Sequence, residues 1–201
     1  QKRFVIDAQV AGLILVAARN DENQIGLYAV EANARGLTRK AMPSMDPTRK
    51  LNQLILAATP AEHLGPVDLQ DLMDYTLVAL ANEMIGGAQT LLQSALDYTQ
   101  LRVQFGRSIA SFQAIKHRLA ELLLEVELAK SAAYQAAYSM SIGDDAREHA
   151  SLAKAAAAEA YLHAATECIQ LHGGIGFTWE NDTHLWFKPV SYTHLRAHET
   201  S

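Results

Sequence analysis

The chain has 201 residues, of which 49% are hydrophobic and 19% are charged, a composition typical of a folded protein and not of a disordered one. The formal net charge is −5, and no run of five or six basic residues occurs, which argues against a nucleic-acid-binding surface. No apolar run approaches the roughly 20 residues that span a bilayer, so no integral membrane segment is expected. The single cysteine, Cys168, has no partner for an internal disulfide and indicates a reducing compartment.

Short apolar runs broken by turn residues fill the sequence up to Pro66. The sequence starts at Gln1 without an initiator Met, inside a strand-like pattern, so we expect a truncated start and conclude nothing from the lack of a leader. Successive runs are closely spaced, and this spacing predicts antiparallel pairing and not βαβ units. The predicted strands cover residues 4–6, 13–17, 25–30 and 51–57.

After Pro66 the apolar period becomes that of helices. Three long stripes predict three antiparallel helices over residues 68–187, with no strand after residue 70 and a bundle-like packing. The third stripe is built of small residues, which let helices approach closely. The stripes are Leu69, Leu72, Met73, Leu77, Leu80, Ala81, Met84, Ala88, Leu91, Leu92 and Ala95; Phe112, Ile115, Leu119, Leu122, Val126, Ala129 and Ala133; and Ala153, Ala156, Ala157, Ala160, Ala164, Cys168 and Leu171.

Glycines and polar residues mark the ends of these helices. Residues 143–145 (GDD) separate the second helix from the third, and Gly173 and Gly174 end the third. A fourth helical piece is predicted after Trp179, while residues 189–201 have no clear apolar period. The predicted fold class is therefore α+β, with a partial antiparallel β-domain followed by an up-down helical bundle.

The first segment with possible chemistry is RVQFGR, residues 102–107, followed by Gln113. Arg102 offers a guanidinium fork, Gly106 permits a turn with accessible amides, and a helix N-terminus follows, so the segment suits a diphosphate group. A helix–helix turn with solvated arginines is the simpler interpretation, and residue types alone favour it.

The second segment is QLHGGIGF, residues 170–177. Three glycines in four positions allow the main chain to approach a ligand closely. Glycine is also the usual residue at the C-terminus of a helix, so the residue types leave a binding loop and a simple helix cap equally open.

The histidines and the cysteine do not form a recognisable metal or nucleophile motif. A di-iron bundle needs Glu-x-x-His pairs, whereas Glu159/His163 and Glu180/His184 are four residues apart. No metal site is therefore expected. Cys168 lies on the small apolar stripe, where a buried and inert thiol is the expected role.

Together, the two segments resemble the acyl-CoA dehydrogenase family. Residues 102–122 (RVQFGR…FQAIKHRLAEL) look like its first signature in the helical domain, and residues 169–180 (IQLHGGIGFTWE) look like its second. Residues 2–19 and 36–49 are similar to the second half of the family's middle β-domain. The resemblance covers about residues 2–188.

This resemblance implies a subunit with an N-terminal helical domain, a β-domain and a C-terminal four-helix bundle. Residues 1–66 then correspond to the C-terminal part of the middle β-domain, residues 67–188 to an incomplete C-terminal helical domain, and residues 189–201 to an atypical tail. The implied activity is FAD-dependent α,β-dehydrogenation of an acyl-CoA thioester in fatty acid metabolism.

The implied partners are an electron-transfer flavoprotein and further subunits in a homotetramer or heterotetramer. The expected compartment is the bacterial cytoplasm, preferred over the mitochondrial matrix. By resemblance, the FAD of a neighbouring subunit is contacted by Arg102, Phe105, Gln113, Gln170, Gly173 and Gly174.

The catalytic base is not assigned, because the chain departs from the family pattern. Leu77 stands where many members have an arginine that holds CoA, and Thr76 stands where some have the catalytic glutamate. The other usual position lies beyond Val190, where Glu199 is near the expected distance but its surroundings do not match. These departures look like the branch that acts on steroid side-chain or other bulky acyl-CoA substrates, whose subunits sometimes work as unlike pairs.

Two alternatives to a catalytic subunit stay open. The bundle could be a non-catalytic partner that completes the FAD site of another chain, or an oligomerisation module without a ligand. As a truncated piece, the isolated chain is expected to retain FAD poorly, to be inactive, and to self-associate through exposed apolar surface.

Overall fold

The computed structural model describes residues 1–44, 46, 49–178, 180–183 and 185–187. The chain divides into two compact units, Gln1–Leu72 and Met73–Ser201.

The first unit is built of two three-stranded sheets, both antiparallel. One sheet has the order β1-β5-β4 and the other β2-β3-β6. This confirms the predicted antiparallel pairing. The strands are β1 (Lys2–Ile6), β2 (Leu13–Arg19), β3 (Ile25–Glu31), β4 (Leu37–Ala41), β5 (Leu51–Leu56) and β6 (Glu62–Pro66).

An asparagine closes the β2–β3 hairpin. The side-chain oxygen of Asn20 accepts hydrogen bonds from the amides of Glu22 (3.1 Å) and Gln24 (2.8 Å), as an Asx turn requires. Strands β4 and β6 were not among the predicted strands. Their sequences, LTRKA and EHLGP, contain few apolar residues, and they become strands by pairing with β5 and β3.

The small core of the first unit is formed by four strand residues and one loop residue. Its buried members are Ala8, Ile14, Val16, Val30 and Leu54.

Three long helices form the second unit, and the first of them begins inside the range of the first unit. The helices are α1 (Leu69–Leu101), α2 (Gln113–Ser141) and α3 (Arg147–His172). Thr183 and residues 185–187 are also helical, in agreement with the fourth piece predicted after Trp179, a residue that itself lies outside the described residues. The predicted helix ends at residues 143–145 and at Gly173 are confirmed.

The prediction of no strand after residue 70 is wrong. Between α1 and α2, the short strands β7 (Val103–Gln104) and β8 (Arg107–Ser108) pair as a hairpin, followed by a 3₁₀ turn, Ile109–Ser111. Each strand has two residues, which is too short to give an alternating apolar pattern. The hairpin depends instead on positive φ angles at its two central residues, a property of type I′ turns.

Contacts between side chains give the relative directions of the helices. Ser94 and Cys168 form a side-chain hydrogen bond, and Tyr98 bonds to His172, with the same separation of 74 residues in both cases. A constant separation means that α1 and α3 run parallel.

Helix α2 runs in the opposite direction to α3. Arg118 pairs with Glu167, Glu125 with His163, and Ser139 with His149. The separation of the partners falls along α2, from 49 to 38 to 10 residues. The C-terminal ends of α1 and α3 therefore lie at the same end of the bundle as the N-terminal end of α2.

The apolar stripes form one buried cluster across the three helices, as predicted. Most small residues of the third stripe are buried, namely Ala153, Ala157, Ala160, Ala164 and Cys168, while Ala156 is partly buried. The first stripe is different at its start, since Leu69, Leu72 and Met73 are about half exposed.

In the described part of the chain, no helix is long and apolar enough to cross a membrane.

Candidate functional site

The two segments predicted from the sequence meet at one end of the bundle. Arg102 directly follows α1, Gln113 is the first residue of α2, and Gly173 directly follows α3. Because α1 and α3 are parallel and α2 is antiparallel to them, all three helix ends lie together. Residues separated by about 70 positions in sequence are thus brought to one surface.

Arg102 continues the last turn of α1. Its amide donates to the carbonyl of Tyr98 (2.9 Å), and its own carbonyl accepts from the amide of Ile109 (2.9 Å). The chain therefore leaves the helix at Arg102 and returns to it at Ile109, seven residues later. The Arg102 side chain is exposed, and in the described part of the chain its guanidinium makes no hydrogen bond or ion pair.

Phe105 forms the tip of this hairpin and projects outwards. Its side chain is 91% exposed, and its backbone φ is +54°, followed by +77° at Gly106. The Phe105 ring makes an edge contact with Phe112 (6.2 Å between centroids), whose face is covered by the Arg107 guanidinium at 4.0 Å. A bulky residue with positive φ is a strained conformation that commonly marks a functional position.

Gln113 lies at an uncapped helix terminus. It is exposed, and no side chain caps the N-terminus of α2, where Phe112 occupies the cap position. The first amides of a helix are free to bind an acceptor and carry a partial positive charge. The sequence predicted a helix N-terminus just beyond the RVQFGR segment, and the structure adds the 3₁₀ turn, Ile109–Ser111, between them.

The second segment is a 3₁₀ turn, Gly173–Phe177, that follows α3. Gly173 has φ +64° and ψ −139°, which side chains disfavour. Among the described residues, a Cβ at Gly173 or Gly174 would meet nothing within 4 Å, so this backbone is open towards the rest of the described chain. Gln170, one turn earlier, is exposed. By contrast, a Cβ at Gly176 would lie 2.7 Å from the carbonyl of Ile169, so that glycine serves packing.

A contact that the sequence did not predict joins the two segments. The rings of Tyr98 and His172 stack with centroids 4.2 Å apart and planes inclined by 24°. The Tyr98 hydroxyl donates to the carbonyl of His172 (3.4 Å). Tyr98 lies one turn before Arg102, and His172 directly precedes Gly173. No signal within a few positions of either residue could have found it, because the two rings belong to different helices.

Cys168 and His172 form a buried polar contact beneath this stack. The Nδ1 of His172 lies 2.7 Å from the carbonyl of Cys168, and since a carbonyl only accepts, Nδ1 carries the proton. Burial raises the pKa of the Cys168 thiol, although hydrogen bonds with Thr183 and Ser94 lower it. A raised pKa keeps the thiol neutral and unreactive, as the sequence suggested.

The positions considered for a catalytic base are less informative. Thr76 is exposed on the second turn of α1, and Leu77 beside it is half-buried. Glu199, with everything beyond Val190, lies outside the described residues. Among the residues that the structure does describe, no group of three or more His, Cys, Asp or Glu side chains could hold a metal ion.

Comparison with known proteins assigns the family. Residues 68–195 match the family profile described as "Acyl-CoA dehydrogenase, C-terminal domain". Acyl-CoA dehydrogenase IpdE2 of Mycobacterium tuberculosis is 36% identical over 185 residues, covering 92% of this chain and 52% of that protein. The caffeyl-CoA reductase–Etf complex subunit CarC of Acetobacterium woodii is 37% identical over 185 residues, covering 92% of this chain and 45% of that protein.

Solved structures agree with these relatives. A variant of the Tcur3481-Tcur3483 steroid ACAD superposes with a TM-score of 0.84 at 30% identity, covering 98% of this chain and 56% of that chain. The chain thus spans about half the length of the relatives it matches. It belongs to the acyl-CoA dehydrogenase family.

Proposed function

We propose that this chain is part of a FAD-dependent acyl-CoA dehydrogenase and contributes one wall of the FAD site of a neighbouring subunit. In this proposal, residues 1–66 are the end of the middle β-domain, residues 67–188 belong to the C-terminal helical domain, and residues 189–201 are an atypical tail. The observation that supports it most is the convergence of three helix ends on one surface, joined by the Tyr98–His172 contact.

The residues on this surface have the chemistry that a dinucleotide needs. The exposed Arg102 guanidinium is free among the described residues and suits a diphosphate, to which arginine binds as a planar fork. Gln113 adds an amide side chain beside the uncapped N-terminus of α2. Across the surface, Gln170 offers a second amide, and no side chain of the described residues lies within 4 Å of a Cβ placed at Gly173 or Gly174.

Phe105 completes the surface with an exposed aromatic ring. Its position at the tip of a tight turn leaves most of the ring exposed beside Phe112, where it can contact an apolar or aromatic part of the cofactor. The residues present therefore fit a flavin dinucleotide.

The proposed reaction is α,β-dehydrogenation of an acyl-CoA thioester, for which bound FAD supplies hydride acceptance. A carboxylate is needed to remove the α-proton, and the Thr76 hydroxyl is too weak a base for that role. The proposal therefore places the base beyond Val190 or on another chain. The described residues of this chain are proposed to bind and orient the cofactor, and none of them is proposed to remove the α-proton.

The relatives support the proposed substrate and partners. One solved relative is a steroid ACAD, which supports a bulky acyl-CoA substrate of the kind suggested by Thr76 and Leu77. Another relative belongs to a complex with Etf, which supports an electron-transfer flavoprotein as the electron acceptor. A homo- or hetero-oligomer is required, because the surface described here is proposed to serve the FAD of a neighbour.

The decisive experiment measures FAD affinity in full-length protein that contains Arg102→Ala. Hydrogen bonds to charged groups contribute about 1.5–3 kcal/mol, so we expect a loss of about ten- to a hundredfold. Arg102→Lys should recover part of it, because a point charge makes no bidentate contact. Apoprotein is titrated with FAD by flavin fluorescence, with helix content checked by circular dichroism.

Arg147→Ala is the matched control, since Arg147 is an exposed arginine at the opposite end of the bundle. It should leave FAD affinity unchanged. Equal affinities in Arg102→Ala and the parent protein would remove the cofactor role and leave the RVQFGR segment as a helix connector. A non-catalytic partner subunit would show the same FAD loss, but its activity would depend on a carboxylate of another chain.

A further inference from the structure

Two side chains outside the proposed FAD contacts hold the halves of that surface together. Tyr98 belongs to α1 and His172 to the last turn of α3, and they contact each other through both their rings and a hydrogen bond.

The position of Tyr98 links it to Arg102. Residues four apart lie on the same face of a helix, and the amide of Arg102 donates to the Tyr98 carbonyl at 2.9 Å. Arg102 therefore leaves α1 in a direction set by the turn that contains Tyr98. Any displacement of Tyr98 relative to α3 moves the start of the hairpin with it.

On α3, the peptide between His172 and Gly173 is fixed at both of its polar ends. Its carbonyl accepts from the Tyr98 hydroxyl at 3.4 Å, while its N–H donates back to the carbonyls of Ile169 and Gln170. Since a peptide is planar, these bonds fix the plane from which Gly173 and Gly174 continue.

The His172 ring is fixed as well. Only 8% of the residue is exposed, Nδ1 donates to the Cys168 carbonyl at 2.7 Å, and the Tyr98 ring lies against it at 4.2 Å. A ring that donates on its edge and stacks on its face has one orientation available. The last turn of α3 is thus tied to the last turn of α1.

We infer that Tyr98 and His172 form a positioning pair that sets the distance between Arg102 and the Gly173–Gly174 backbone. The pair touches neither cofactor nor substrate in this inference, which rests on the proposed FAD site. Its loss should therefore weaken FAD binding through Arg102 and not simply loosen the bundle.

The test is a double-mutant cycle on FAD affinity in the full-length protein. Tyr98→Leu removes the stack and the hydrogen bond, and should weaken FAD binding about tenfold. Tyr98→Phe keeps the stack and should lose about two- to threefold. In Tyr98→Leu with Arg102→Ala, the combined loss should be well below the product of the single losses, because Tyr98 acts through Arg102.

Val126→Ala is the stability control, because Val126 is a buried residue of the same cluster on α2. It should lower the melting temperature and leave FAD affinity unchanged. If Tyr98→Leu does not fold, the cycle is measured with Tyr98→Phe, for which the same non-multiplicative result is expected.

Three results would overturn the positioning role: unchanged FAD affinity in both Tyr98 variants, multiplicative losses in the double variant, or an equal loss in Val126→Ala. In each of them Arg102→Ala alone still weakens FAD binding, so the proposed function survives. If Arg102→Ala has no effect, the proposed site fails, and the positioning role fails with it.

Discussion

Tyr161 of α3 occupies the space that a side chain at position 87 of α1 would fill. A Cβ built on Gly87 would lie 2.6 Å from Cζ and 2.8 Å from the hydroxyl oxygen of Tyr161. Gly87 is buried within α1, where glycine would otherwise weaken the helix. The close approach of α1 and α3 therefore requires glycine at this position.

Gly87→Ala should destabilise the bundle. The added methyl group must displace a buried aromatic ring, and overpacking of this kind costs about 1–3 kcal/mol. Urea denaturation followed by circular dichroism measures the change. The adjacent Gly86→Ala is the matched control, since a Cβ there meets nothing within 4 Å, and it should stabilise the helix by about 0.5–1 kcal/mol. Equal effects of the two substitutions would contradict the close approach.

Phe105→Asn should separate stability from cofactor binding. Asn-Gly is the preferred pair for a two-residue hairpin with positive φ at both positions, so relief of strain at residue 105 should raise the unfolding free energy by about 1 kcal/mol. The same substitution removes the exposed ring and should lower FAD affinity. Thermal unfolding and flavin titration on one preparation measure both. Unchanged FAD affinity would show that the strained ring has no part in the site.

Cys168 should make the bundle less stable at alkaline pH. In the folded chain, burial raises the thiol pKa above its ordinary value of 9.0. At a pH between the ordinary pKa and the raised one, the unfolded chain has released the thiol proton and the folded chain retains it. Fewer protons on the unfolded state mean that stability falls as pH rises. In Cys168→Ala this decrease in stability with rising pH should disappear. Urea denaturation midpoints measured between pH 7 and 10 in both proteins would show the difference. An identical pH profile in the variant would exclude the thiol as its source.

The exposed face of α2 should drive self-association of the isolated chain. Four large exposed side chains lie within an arc of about 120° on this helix: Leu124, Leu128, Tyr134 and Tyr138. Exposed apolar surface of this kind commonly mediates association. Leu124→Lys with Leu128→Lys should shift the chain towards monomer in sedimentation velocity.

Val10→Lys is the control for that experiment. Val10 is also a highly exposed apolar residue but belongs to the first unit, so its replacement should leave the sedimentation profile unchanged. A monomeric parent chain would contradict the predicted association.

The sequence alone determined the helices, their ends and the small-residue seam, because each depends on neighbours within a few positions. The period of three and four residues placed α1, α2 and α3, and Gly173 ended the last of them through its own φ angle. The sequence also identified the RVQFGR and QLHGGIGF segments. Short strands such as β4 and β7 escaped detection, because pairing and not composition makes them strands.

Only the tertiary structure decided which residues meet. The Tyr98–His172 contact joins positions 74 residues apart and depends on the parallel register of α1 and α3, which no local pattern encodes. Whether a periodic residue is buried, and whether two motifs share one surface, follows from how far each helix extends beside its neighbours, and that is a property of packing.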